Sequence, residues 1–314
     1  MGRPAPLTPI GQLVFFSQFL DVSGHFDSLC ETCPVRFTSP NAPLIRDAIG
    51  TVLMGVLCGH WRYAHLSGVR FDAVNPQLLG MTKVVIENSA RRFLGAMSPE
   101  QSGKWLHTQL RNCYDQLLVE PWVLDVDTPL MENSGVVIET EEKYEYIVLV
   151  TNMDMPIVGL AQFYRDRADV ENCFDELKNQ WGWGGFTTKD VERSQTMARL
   201  VALIYNWWSL FAGLINPDKH AEAITSRPEL LFGVGRIANS GRQSTLTVTS
   251  THKNAAQIQK RQTWVGHFLS RLGDAAEQLS RSEIWRLILS RVFIRFLGGR
   301  IIGEPENHAI PALA

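Results

Sequence analysis

The spacing of apolar and polar positions makes most of this chain helical. Leu44 to Cys58 predicts an apolar helix, interrupted by Gly59-His60-Trp61. Ser98-Pro99-Glu100-Gln101 carries the signals of a helix start: a hydroxyl that can cap, a proline suited to the first turn, and a glutamine placed to complete a capping box. The helix it opens carries Trp105, Leu106, Leu110, Leu117 and Leu118 towards Glu120-Pro121. Between these two, Asn88 to Leu94 reads as a short basic helix, either a surface helix or one set against DNA.

Two segments change the period. Trp122 to Thr128 is short and apolar, with Asp125 and Asp127 on one alternating face, and Tyr144 to Thr151 is rich in β-branched and aromatic residues. Both predict strands, and Gly135 to Thr140 is a candidate hairpin partner for the second. The pattern returns to helix until about Leu214. Thr245 to Ser250 predicts an isolated strand, and Gln262 to Leu297 a last helical block. No internal repeat or low-complexity tract is evident. The fold class is α+β, mostly helical with a small sheet.

Composition narrows the picture. With 314 residues, 45% apolar and 20% charged, the chain has length for two domains, or one large domain with extensions, and can bury a core. That excludes a wholly disordered or collagen-like protein. Five cysteines, an odd number in a long chain, point to a reducing compartment. Met1 to Leu20 lacks the marks of a signal peptide. The most apolar stretch, Leu200 to Ile215, contains Asn206 and Ser209 and suits a buried helix better than a membrane span. The expectation is a soluble cytoplasmic protein.

The 30 basic and 32 acidic residues are unevenly placed. Residues 120–178 hold 4 basic against 14 acidic, whereas residues 186–300 hold 16 basic against 8 acidic. Between Glu229 and Asp274 there is no acidic residue, but Arg236, Arg242, Lys253, Lys260, Arg261 and Arg271 all occur there. Two halves that pair with each other would produce this split. So would carboxylates gathered for metal beside cations gathered for a phosphate backbone.

The segment Phe163 to Lys178 holds the densest chemistry. On a helix, at about 100° per residue, Tyr164, Arg167, Glu171 and Lys178 share a stripe about 60° wide and about 21 Å long. Phe163, Val170, Phe174 and Leu177 gather beside it as a buried edge. A carboxylate between two cations and a phenol suits a metal-and-phosphate site, and an Arg167–Glu171 ion pair on a solvated face suits the same spacing.

The spacing Y-x2-R-x3-E-x6-K resembles the signature of one large group of bacterial insertion-sequence transposases, DDE enzymes with a ribonuclease-H-like catalytic domain. Asn179 to Thr187, Ala198 to Trp208, Gly59 to His65 and the Asp125-Val126-Asp127-Thr128 strand are also similar to that group, so the resemblance runs from about Leu44 to Arg300. It implies two Mg²⁺ or Mn²⁺ ions held by three carboxylates and used for in-line attack on a DNA phosphate. By that match Asp127, on the first strand before Thr128, and Glu171 are catalytic metal ligands. Asp125 is a lesser candidate. Arg167 and Lys178 would hold phosphates, and Tyr164 would contact DNA near the cleaved end. The group's second Asp has no counterpart: the 36 residues from 128 to 163 contain only Asp154, outside any similar motif. Strands of about 5–6 residues with short connections leave room there for two or three strands, not a complete sheet. The sequence reads as such a transposase shortened internally, its sheet incomplete.

The implied organisation is a helical DNA-binding region (1–120), a partial catalytic core with the Asp strand, a hairpin and the Glu helix (121–215), a basic helical region (216–300) and a tail (301–314). Arg236, Arg242, Lys260 and Arg261 are the expected contacts to double-stranded DNA bearing terminal inverted repeats. The functional expectation is a defective transposase, with a non-catalytic DNA-binding remnant that regulates full-length relatives as the alternative. Either would act in the bacterial cytoplasm at the nucleoid, as a homo-oligomer or a mixed oligomer with full-length transposase, and not at a membrane. Cys30 and Cys33 have zinc-like spacing without a second pair, leaving only His25, His60 and His65 to complete a site. Trp181 and Trp183 suit either base stacking or the core. Trp207 and Trp208 read as core.

Overall fold

A computed structural model describes residues 6–39, 41–120, 123–126, 148–151, 156, 168–186, 188–240, 243–249 and 252–304. Its axis is one helix, α8 (Val191–Ile215), which is apolar around most of its circumference. Around it pack α1 (Leu13–Ser23), α3 (Ile45–Leu57), α5 (Glu87–Leu94), α6 (Pro99–Tyr114), α10 (Ala255–Asp274) and α11 (Arg281–Val292). Met197, Leu200, Val201, Leu203, Ile204, Trp207, Trp208 and Phe211 of α8 are all buried. This helix is long and apolar enough to cross a membrane, but most of its apolar length is covered by its neighbours. It begins nine residues earlier than the apolar run alone suggests, because Asp190 caps it by accepting the Arg193 amide at 3.0 Å.

Shorter elements complete the bundle: α2 (His25–Glu31), α4 (Asn75–Leu78), α7 (Ala168–Gln180) and α9 (Ala223–Leu230). The predicted capping box is present at α6. Ser98 Oγ accepts from the Gln101 amide at 3.2 Å, and the Ser98 amide donates to Gln101 Oε1 at 3.0 Å. Ser280 and Glu283 build a second box at the start of α11. The basic helix α5 buries Ala90, Phe93 and Leu94 against the bundle, while Arg91 pairs with Glu87 and lies over the Tyr63 ring.

Among the described residues there are two antiparallel sheets. One joins β2 (Val123–Val126) to β3 (Val148–Thr151), with Asp125 opposite Leu149. The other has three strands, ordered β1 (Leu7–Thr8), β4 (Val234–Ser240) and β5 (Gln243–Thr249). The Thr245 strand is therefore not isolated: β5 closes a hairpin with β4, and β1 arrives from the other end of the sequence. Gly11 and Gly235 make that approach possible, since a Cβ on Gly11 would sit 2.6 Å from the Gly235 backbone. Gly135 to Thr140 lies outside the described residues. The fold is mostly helical α+β.

His25 illustrates the dryness of the core. It is buried edge-on to Trp285 at 4.1 Å between ring centroids, and burial lowers its pKa to about 4. A histidine held neutral this way makes the unfolded chain take up the proton first as pH falls. Stability is then fully present above the ordinary histidine value of about 6.5 and declines towards pH 4, by on the order of 3 kcal/mol. Chemical denaturation across this range should show the decline in the wild type, and His25→Leu should flatten it.

Candidate functional site

The helix expected to carry the signature is α7, and it is turned differently from its apolar pattern. Leu177 is buried as predicted, but Phe174 is 50% exposed and the carboxylate of Glu176 is buried instead. Hydrophobicity put Phe174 inward; hydrogen bonding puts Glu176 there. Lys178 lies exposed in the last turn of α7. Glu171 is on the same helix, its side chain outside the described set, as are Asp127, Asp154, Tyr164 and Arg167. Asp125 is on β2.

Glu176 gathers three donors. Its Oε1 accepts from Trp181 Nε1 at 2.9 Å and from the Ala223 amide at 2.8 Å, and its Oε2 meets His220 Nε2 at 2.9 Å. Burial pushes this carboxyl up, yet the bonds from His220, Trp181 and Ala223 outweigh burial and hold it below the usual glutamate range. Gln180, one turn on, accepts the Ile224 amide at 2.8 Å. The first two amides of α9 are thus satisfied by side chains of α7, while Glu222 at the cap position makes no side-chain cap. A carboxylate there also suits the positive end of α9.

Arg227 closes the cluster from the other side. Its guanidinium lies 4.1 Å from the Trp181 ring centroid and donates to the Gln180 carbonyl at 2.7 Å and the Val56 carbonyl at 3.0 Å. Burial lowers its pKa to about 10. Trp181 is itself fully buried and Trp183 donates to the Ala198 carbonyl at 3.1 Å, so both belong to the packing and Trp181 is closed to a base. Trp207 and Trp208 are core, as read from the sequence. Gly182, at φ +66°, and Gly185 let this turn press onto Trp61: a Cβ on either would come within 2.6 Å of it. Two segments far apart in sequence, Gly59 to His65 and Trp181 to Phe186, thereby meet.

The remaining candidates separate. Arg236 is exposed on β4, opposite Leu7 and Thr247. Lys260 is exposed on α10, and neighbouring Arg261 donates to Asn216 Oδ1 at 2.7 Å. Arg242 lies outside the described residues. Cys33 is buried and Cys30 half-buried, and among the described residues no three His, Cys, Asp or Glu side chains come together to hold a metal. Sequence reasoning passed over Glu176, Arg227 and His220. The available signal was Glu176 beside Leu177 on the apolar side of its helix, five residues before a tryptophan.

Residues 60–207 match the family model described as Transposase DDE domain. No curated protein and no solved structure matches the chain. The family match supports a transposase of the DDE class, with DNA as the general partner and divalent metal ions as the family's general cofactor. It spans the Trp61 turn, α7 and most of α8.

Removing the Glu176 carboxylate should leave the Trp181 and Ala223 N–H groups buried and unpaired. Glu176→Ala should cost roughly 3 kcal/mol at neutral pH by chemical denaturation. Because the folded carboxyl titrates low, its contribution is fully present above the ordinary glutamate range and is lost as pH falls through the lowered value. Glu176→Gln should lack that acid step.

Proposed function

We propose that this chain is an internally shortened insertion-sequence transposase of the DDE class, one that binds DNA and has lost strand cleavage. The observation that carries the proposal is the shortage of chain between the two candidate ligands. From the end of β3 at Thr151 to the start of α7 at Ala168 there are 16 residues, and Asp154 is the only aspartate between Asp127 and Tyr164. That interval cannot hold the remaining strands of a ribonuclease-H-like sheet or a motif for a second aspartate. The antiparallel β2–β3 pair leading to the Glu171 helix supports a partial sheet of that kind.

In this reading Asp127 and Glu171 are the surviving ligands. Carboxylate oxygens are the right donors for Mg²⁺ or Mn²⁺, which when bound would activate a hydroxyl and stabilise a leaving oxygen. Two such residues fall short of the three that two ions share, so the donor set does not fit the complete metal centre. Tyr164, Arg167 and Lys178 remain at the DNA end, and Arg236, Arg242, Lys260 and Arg261 supply cations to the duplex backbone. Such a protein would work at the bacterial nucleoid, alone or in mixed oligomers, occupying terminal repeats that full-length transposases need.

The test is nicking and binding of a labelled duplex carrying the gene's own flanking ends, with Mg²⁺ or Mn²⁺, beside Glu171→Ala. The expected result is salt-sensitive binding by both proteins and no Glu171-dependent cleavage. Nicking that disappears in Glu171→Ala would show a working metal centre and overturn the loss of cleavage. Absence of binding at low salt would overturn the DNA reading itself.

A further inference from the structure

Two of the cations proposed for the duplex backbone, Lys260 and Arg261, line one cavity together with a third that the proposal above does not use, Arg291. Where α8 ends against α10 and α11 there is a cavity of about 470 Å³ with Leu214 and Ile215 among its lining residues. Lys260, Arg261 and Arg291 line it together with Trp264. Asp218 is the one carboxylate on its lining among the described residues, and it already faces Arg295 at 3.8 Å.

The three cations differ in what they already hold. Arg261 spends one nitrogen on Asn216, just past the end of α8. Lys260 is exposed. Arg291 is half-buried, its guanidinium 4.4 Å from the Trp264 ring centroid and its Nε enclosed without a hydrogen-bond acceptor. Burial lowers its pKa. The plain explanation for cations at this place is the carbonyl end of α8. A helix end carries about half a negative charge, well short of three cations. An excess of positive charge is left facing an open cavity.

The aromatic part of the cavity decides what chemistry it suits. Trp264 has Arg291 over its ring and Phe268 stacked parallel to it at 5.7 Å, leaving 37% of the residue exposed. A ring so engaged is a poor platform for a base, and forked guanidinium and ammonium donors are good partners for phosphate oxygens. The loop from Asn216 to Glu222 joins the cavity to α7: Asp218 stands on the cavity lining, and His220 reaches Glu176.

We infer that this cavity is a phosphate-binding site for the DNA backbone, with Arg291 as its inner cation and Lys260 as its outer one. The inference rests on the DNA-binding reading above and adds to it a specific pocket, a residue the sequence did not single out, and a preference for backbone over base.

The experiment is fluorescence anisotropy of a labelled duplex against the full chain, titrated across salt, for wild type, Lys260→Gln, Arg291→Gln and Arg291→Lys. Each Gln variant should lower the slope of log K against log salt by about 0.9 and weaken binding roughly five- to tenfold at 0.1 M salt. Arg291→Lys should keep most of the slope. Lys260→Gln changes an exposed side chain, so it remains informative if Arg291→Gln fails to fold. Slopes unchanged in folded Lys260→Gln and Arg291→Gln would overturn the site while leaving DNA binding intact. Absence of duplex binding by the wild type would instead sink the DNA reading. Melting temperature in millimolar inorganic phosphate separates the sources: a phosphate response lost in Arg291→Gln, with duplex slopes unchanged, would assign the pocket to a free anion and refute the backbone.

Discussion

A buried carboxylate with all its donors in place organises the junction of α7 and α9. Taking Glu176 out of water is costly, and it is tolerated because Trp181, Ala223 and His220 all bond to it. The same bonds serve three purposes. They satisfy an indole N–H inside the core, cap a helix that has no side-chain cap of its own, and fix the C-terminal half of α7. Arg227, stacked on Trp181 and bonded to carbonyls of Gln180 and Val56, ties this unit to α3. The backbone that carries Glu171 is thus positioned by a residue five places further along.

This arrangement separates the scaffold of the site from its chemistry. Trp61, Trp181, Trp208 and the glycines between them form a packed unit built from residues other than the proposed metal ligands. Among the described residues, α7 is held by Ala223, Ile224 and Arg227 of α9 and by His220 in the loop before it. The charge split follows a similar logic: the acidic middle spends Glu176 on structure, and the basic stretch spends Arg261 on Asn216, so only part of each stretch is free for ligands.

How much of this could be read from sequence depended on how local the physics was. The capping box at Ser98, the helix from Ile45 to Leu57 and the tryptophan-rich core of α8 rest on residues within a few turns of one another, and all were legible. The hairpin of β4 and β5 was half seen, because Val234 to Ser240 has no clean alternation. Its third strand, Leu7–Thr8, pairs across more than two hundred residues and left no local sign. The rotation of α7 was misjudged at Phe174 because periodicity weighs apolar surface and cannot see donors arriving from His220 and Ala223. Lys260 and Arg261 stood out as charges, whereas Arg291, within an amphipathic helix, gave no hint that it faces a cavity.

Amide hydrogen exchange at neutral pH, comparing the wild type with Glu176→Ala, tests most directly whether one carboxylate positions the site. The account predicts that amides over the second half of α7 and the first turn of α9 lose protection, roughly tenfold for each 1.4 kcal/mol of local stability removed, while α8 stays protected. Unchanged protection in α7, or a uniform loss across the whole bundle, would contradict it.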